Sequence, residues 1–386
     1  MTQNLRLFFF CTLLSLAISA QTEKRLPTLK KPKPSAVSTP FYSGLNGYFS
    51  FRIPAVIKSK KTVIAFAEGR KNSTSDFGDI DLVYRRSTDK GKTWQSLKRL
   101  FDMDTLAVQN PVPIYVSKTN TIVLLFNTTS QSEHDILYKD YPLEEERKAW
   151  VTRSMDEGKT WTTPIDITRQ VKREHWRWHA LGPVHGIELQ HGPYQGRLVA
   201  PVAISIAKGN KAYCMALVYS DDSGKHWQIG AVDRNVIDAV RANETTIAEL
   251  LDGRIYVNTR DQNGGSLEKN RGEAFSLDGG LSFSGPILES GRFPSPVVQS
   301  SLLVWNGRDG ELVLFATPSH RDKREDLVVM GSWDGTETWQ TLFQVHEGFS
   351  AYSDMVRLDK RTLGVIYETD DYTKIRFGRF KIRNRP

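Results

Sequence analysis

Short runs in which apolar and polar residues alternate recur along the whole chain, and helical periodicity is almost absent. Alternation with a period of two places successive side chains on opposite faces of a sheet, so these runs predict half-buried strands. Residues 52–57, 111–116, 185–189, 244–250, 299–304 and 352–358 each read as the first strand of a unit. After a polar turn a second strand follows, at 62–67, 121–126, 197–202, 254–259, 311–316 and 362–367. β-Branched residues and glycine-marked turns support strands throughout. A third strand continues each unit, falling near 374–382 in the last. Residues 144–148 amount to one helical turn at most.

An octet punctuates the strands. Ser-x-Asp-x-Gly-x-x-Trp occurs at 87–94, 154–161 and 220–227; a copy at 276–283 ends in Phe, and one at 332–339 has Thr336 where glycine belongs. Asp accepts hydrogen bonds from turn amides, Gly takes a positive φ and the aromatic covers the hairpin. The octet resembles the Asp-box of bacterial neuraminidase repeats, which argues for fold and not for chemistry. Repeated strand meanders of this length predict an all-β, six-bladed β-propeller. The last unit lacks an octet, so its fourth strand is expected from the chain around 41–49, closing the ring.

The N-terminus changes the domain picture. Arg6, the apolar run 7–17 and the small residues Ala17 and Ala20 predict an export signal over 1–20, cleaved before Gln21. The Lys-, Pro-, Ser- and Thr-rich stretch 21–40 reads as a flexible tether, and 41–386 as the propeller domain. The protein is thus expected to be secreted or periplasmic, with no membrane span. Cleavage removes Cys11 and leaves Cys214 alone, so stability rests on an apolar core. The net charge of +8 is scattered and carries no nucleic-acid motif; an acidic small substrate or an anionic surface accounts for it equally well. The histidines lack metal-ligand spacing, and no cofactor is expected. Asn72, Asn127 and Asn243 head Asn-x-Ser/Thr triplets.

Meander geometry narrows the search for chemistry. The start of a first strand, the end of a second and the start of a third share one rim, whereas the octets lie on the other. Arg52, Glu244 and Tyr352 begin first strands, Arg70, Arg260 and Glu368 follow second strands, and Asp76 and Arg324 precede third strands. Each alone reads as an ion-paired, packed or turn-forming residue. Gathered on one rim, they predict a site. Asn110, His185 and Gln299 start the remaining inner strands, and the loop 175–179, His-Trp-Arg-Trp-His, reads equally as shaping one side of the site or as aromatic packing between blades.

At these residues the chain resembles the sialidase (exo-α-neuraminidase) family. Phe51-Arg52-Ile53-Pro54, Ala67-Glu68-Gly69-Arg70 with Ser75-Asp76, Asn243-Glu244, Val257-Asn258-Thr259-Arg260, Lys323-Arg324-Glu325-Asp326-Leu327, Ala351-Tyr352-Ser353-Asp354 and Tyr367-Glu368 carry the likeness. The resemblance implies hydrolysis of terminal sialic acid from sialylated glycans. It assigns Arg52, Arg260 and Arg324 to the substrate carboxylate, with Glu368 orienting Arg52 and Arg70 beside the sugar. Guanidinium groups suit that anion because their planar fork can bind it in two-pronged fashion. Tyr352 is the implied nucleophile, Glu244 its base and Asp76 the acid/base. A neutral phenol escapes the repulsion a carboxylate nucleophile would meet from the substrate's own carboxylate. Of two rival readings, a trans-sialidase shares these residues, whereas an Asp-box propeller that only binds glycans would predict loss of Tyr352, Glu244 or Asp76, all of which are present.

Overall fold

The computed structural model describes residues 36–139, 147–209, 213–233, 240–262, 264, 270–307 and 310–382. The alternating runs form antiparallel meanders as their period requires: Ser50–Ser59 pairs with Thr62–Arg70, that with Ile80–Ser87, and that with Lys98–Phe101. The pattern recurs through Ala107–Val116, Thr121–Thr129, Lys148–Ser154 and Ile165–Asp166. It returns in Ala242–Glu249, Ile255–Asp261, Arg271–Ser276 and Leu288–Ser290, and in Ser301–Gly307, Gly310–Pro318, Leu327–Ser332 and Gln340–Gln344. Four sheets contain four or five strands, and a fifth contains eight because the parallel pair Ile80↔Ala107 joins two meanders. The architecture is an all-β propeller.

One expected inner strand differs. Across 185–189 the regular run shrinks to Ile187–Glu188, with His179–Leu181 also pairing to Leu198–Ser205. Gly182-Pro183 interrupts them, and proline offers no N–H to a ladder. Two short helices, Glu133–Tyr138 and Thr168–Val171, were not foreshadowed by periodicity. The turn expected over 144–148 falls partly outside the described residues, and Lys148 starts a strand.

The ring closes through the N-terminal strand, somewhat earlier than expected. Val37–Tyr42 pairs with Lys374–Lys381, next to Thr362–Thr369 and Ser350–Arg357. Residues 37–40 of the expected tether are therefore strand. The adjoining Phe41 is wholly buried against Phe51 and Phe377, which anchors the segment. The expected export signal and the rest of the tether lie outside the described residues. Cys214 is a buried thiol in the core between neighbouring sheets, where Val123 and Leu125 meet Ala200 and Ala216.

All five octets close the same turn. In the first, Ser87 Oγ accepts from Gly91 N at 2.8 Å, and Asp89 Oδ1 accepts from Lys92 N and Thr93 N at 3.0 Å. Thr336 takes φ 80° in the fifth, so hydrogen bonding holds the turn even where a β-branched residue fills the glycine position. The turns also join blades. A Cβ on Gly91, at φ 75°, would clash with the Phe377 ring of the closing sheet. Gly91→Ala is accordingly expected to destabilise by about 2–3 kcal/mol, from overpacking plus positive-φ strain. Denaturant unfolding checks this; a loss under about 0.5 kcal/mol would show that the turn is not pressed against the ring.

Candidate active site

The first strands flank one another around the propeller axis. Four of them break register at one end: between Arg52 and Ala55, Gln109 and Val112, Ala242 and Thr245, and Ser350 and Ser353. A bulge adds an unpaired residue and re-aims the side chains around it. Ile53 and Asn110, each followed by a proline, take φ 56° and 58° within two of these bulges. Glu244 and Tyr352 lie within the other two. The bulges thus turn Arg52, Asn110, Glu244 and Tyr352 into one cavity of about 650 Å3, shared with Arg70, Asp76, Arg260 and Arg324.

Tyr352 sits at the floor, 6% exposed. Its hydroxyl donates to Glu244 Oε1 and accepts from Arg260 Nη1 at 3.1 Å. The same nitrogen donates to Glu244 Oε2 at 2.6 Å. Burial, reinforced by the Glu244 charge, pushes the phenol well above its usual range against the pull of the arginines. The resting phenol therefore keeps its proton, directed at Glu244 Oε1. Above the ring, the Arg52 and Arg324 guanidiniums lie 5.2 and 5.6 Å from its centroid.

Glu368 is fully buried and holds this floor together. It accepts from Arg52 Nε at 2.7 Å, Ile53 N at 2.8 Å and Tyr352 N at 3.1 Å. Tyr372, absent from the expected set, supports two arginines at once: Arg52 stacks 4.1 Å from its ring and Arg324 Nη1 donates to its hydroxyl at 2.9 Å. Nothing in the alternation marks Tyr372, which sits in a hairpin turn at φ 64°.

Asp76 stands at the lip with its side chain 77% exposed, 2.5 Å from Arg70 Nη2 and 3.7 Å from Arg52 Nη1. Desolvation at the lip favours its neutral form, but the Arg70 and Arg52 charges, the Arg70 hydrogen bond and the Arg324 charge outweigh it and lower its pKa. Arg70 also donates to Glu68 Oε2 at 2.7 Å and to Thr74 O. Glu68 escaped the expectation although it lies two residues from Arg70 on the same strand face. Gln109, Arg147 and Glu133 also line the cavity and were not expected. Burial pushes the Arg147 guanidinium down to about 10.

Other expected residues divide. Asn110 lines the cavity but is tied down, donating from Nδ2 to Leu181 O at 2.9 Å. Gln299 is buried and braces the backbone of Ser353, away from the cavity lining. Trp176 packs in the core, whereas Trp178 reaches the cavity wall. Asn127 and Asn243 are buried, so of the three triplets only Asn72 is exposed.

His185 faces the opposite end of the axis, in a second cavity. Its Nδ1 meets the buried Asp354 carboxylate at 2.6 Å, joining strands far apart in the ring. Burial opposes its charged form, but Asp354 prevails and raises its pKa. A raised folded pKa stabilises the fold fully below the unfolded value near 6.5, and that stability fades as pH rises through the folded value. The difference in thermal midpoint between wild type and His185→Gln should therefore be larger at pH 6 than at pH 9. Equal differences at both pH values would show that the pair is not charged.

The sequence model of the BNR repeat-like domain matches residues 61–365. An exo-alpha-sialidase of Aspergillus fumigatus is 29% identical over 361 residues, covering 84% of this chain and 80% of that protein. A sialidase of Bacteroides fragilis is 28% identical over 349 residues, covering 85% of this chain and 61% of its own length. Among solved structures, the Hadza microbial sialidase Hz136 aligns with a TM-score of 0.77 at 28% identity, over 88% of this chain and 67% of that one. An intramolecular trans-sialidase from Ruminococcus gnavus reaches 0.76 at 18% identity, over 90% and 99%, a likeness of fold alone.

Proposed function

The chain belongs to the BNR repeat-like domain family and is a glycoside hydrolase of the sialidase class, and from that premise we propose that it releases terminal sialic acid with retention, through a tyrosyl intermediate. The observation carrying this reading is the Tyr352–Glu244–Arg260 hydrogen-bond cluster beneath Arg52 and Arg324 in one cavity. Arg52, Arg260 and Arg324 clamp the substrate carboxylate. Glu244 takes the phenolic proton as Tyr352 attacks the anomeric carbon. Asp76, at the open lip, protonates the departing oxygen and then activates water to break the tyrosyl bond.

The surrounding arginines favour the ionised form of Asp76, whereas an acid must carry a proton. A bound carboxylate offsets the arginine charge that lowers the pKa of Asp76, so substrate itself prepares the acid. Asp76→Ala should lower kcat by about 100-fold or more on sialosides with poor leaving groups and by far less on activated aryl sialosides. Steady-state kinetics on both classes decides; equal losses would remove the acid role.

We count the eight-stranded sheet as two blades, giving six, because each half is a complete meander with its own octet and one parallel pair joins them. We place its action outside the cytoplasm, on the strength of the export signal expected over 1–20. No helix among the described residues is long and apolar enough to cross a membrane.

A further inference from the structure

We propose that Gln109, locked by Arg147, is a positioning residue that holds the Asp76 loop at the lip of the site. This inference rests on the acid/base reading of Asp76 and goes beyond it. Residues 72–77 are all exposed and belong to no strand, so the loop lacks ladder bonds to place it. Three anchors from outside reach it. Ser50 Oγ donates to Ser73 O at 3.1 Å, and Arg70 donates to Thr74 O and to the Asp76 carboxylate. Gln109 Nε2 donates to the backbone oxygen of Asp76 itself, at 2.6 Å.

The geometry leaves Gln109 no choice of orientation. Its other end, Oε1, accepts from Arg147 Nη1 at 2.6 Å. A guanidinium only donates, so the amide oxygen must face Arg147 and the NH2 must face Asp76. Gln109 is 5% exposed and Arg147 2%, with the guanidinium 4.6 Å from the Trp178 ring centroid. Burial on both sides makes the relay stiff. It runs from a buried cation through an oriented amide to the peptide carrying the acid. Arg70 fixes the carboxylate end of Asp76, Gln109 fixes the backbone end, and two fixed ends define the direction in which a proton leaves. Gln109 also immediately precedes the bulged Asn110, so the bulge that shapes the mouth aims this side chain as well.

The test is Gln109→Glu, which keeps size and the Arg147 partner but sets an acceptor against the Asp76 carbonyl. Gln109→Met, which merely removes the donor, is the second variant should Gln109→Glu fold poorly. Asp76→Ala and wild type are measured alongside, on a poor-leaving-group sialoside and an activated aryl sialoside. We expect kcat on the poor substrate to fall about 10- to 100-fold for both Gln109 variants, with KM within about threefold and a smaller fall on the aryl substrate. Arg147→Met, which frees the amide to turn over, should fall in the same direction by less. A selective loss in Asp76→Ala with an unselective or negligible one in both Gln109 variants would overturn the positioning role alone. Equal losses on both substrates in Asp76→Ala would overturn the acid/base reading and this inference with it.

Discussion

Replacing Tyr352 by phenylalanine is expected to lower kcat on every sialoside by on the order of 1,000-fold or more while changing KM little. The substitution removes one oxygen from a side chain 6% exposed and keeps the ring on which Arg52 and Arg324 rest. The carboxylate clamp therefore survives, and substrate still binds. On the proposed mechanism, what disappears is the nucleophilic atom between Glu244 and the anomeric carbon. Arg260 remains paired with Glu244 at 2.6 Å, so no buried charge is stranded and the thermal midpoint should hardly move. Steady-state kinetics with a fluorogenic aryl α-sialoside, together with thermal unfolding, measure both halves. A kcat within tenfold of wild type would reject Tyr352 as nucleophile.

Glu368→Ala should combine loss of activity with the largest loss of stability at the site, about 3–5 kcal/mol. The carboxylate is fully buried and serves Arg52, Ile53 N and Tyr352 N together, across the seam where the first and last meanders meet. Its removal leaves a guanidinium that is 7% exposed without its partner, along with two unsatisfied amides. Glu368→Gln keeps one acceptor and should fall between the variant and wild type. Denaturant unfolding gives the energies; a loss below about 1 kcal/mol for Glu368→Ala would show that water or rearrangement replaces the carboxylate.

How much of this was legible in the sequence follows from what each feature depends on. Strands came from alternation, a local signal, so the second strands start within one residue of expectation, although each runs two or three residues further than expected. The octets survived because their hydrogen bonds are internal to eight residues. The mouth residues could be gathered because antiparallel meanders fix which strand ends share a rim. Features made by contacts between units were harder to see. Tyr372 earns its place from Arg52 and Arg324, which reach it from opposite ends of the chain. Gln109 matters only through Asp76 and Arg147, and the helix carrying Glu133 is too short for its period to register. His185 was assigned to the mouth, but Gly182-Pro183 breaks its strand and it pairs with Asp354 at the other end of the axis. The bulges were not foreseen: 52–57 and 111–116 read as regular strands despite Pro54 and Pro111, and those at Glu244 and Tyr352 carry no local mark.

In the proposed mechanism catalysis passes through two displacements at the anomeric carbon, first by Tyr352 and then by water, and the stereochemistry of the first product tests this most directly. Proton NMR of an aryl α-sialoside, recorded during the first minutes of turnover, distinguishes the anomers of free sialic acid before they equilibrate. The account predicts that the α anomer appears first and the β anomer grows only by later mutarotation. Initial release of the β anomer would mean a single displacement by water, and would contradict the tyrosyl intermediate.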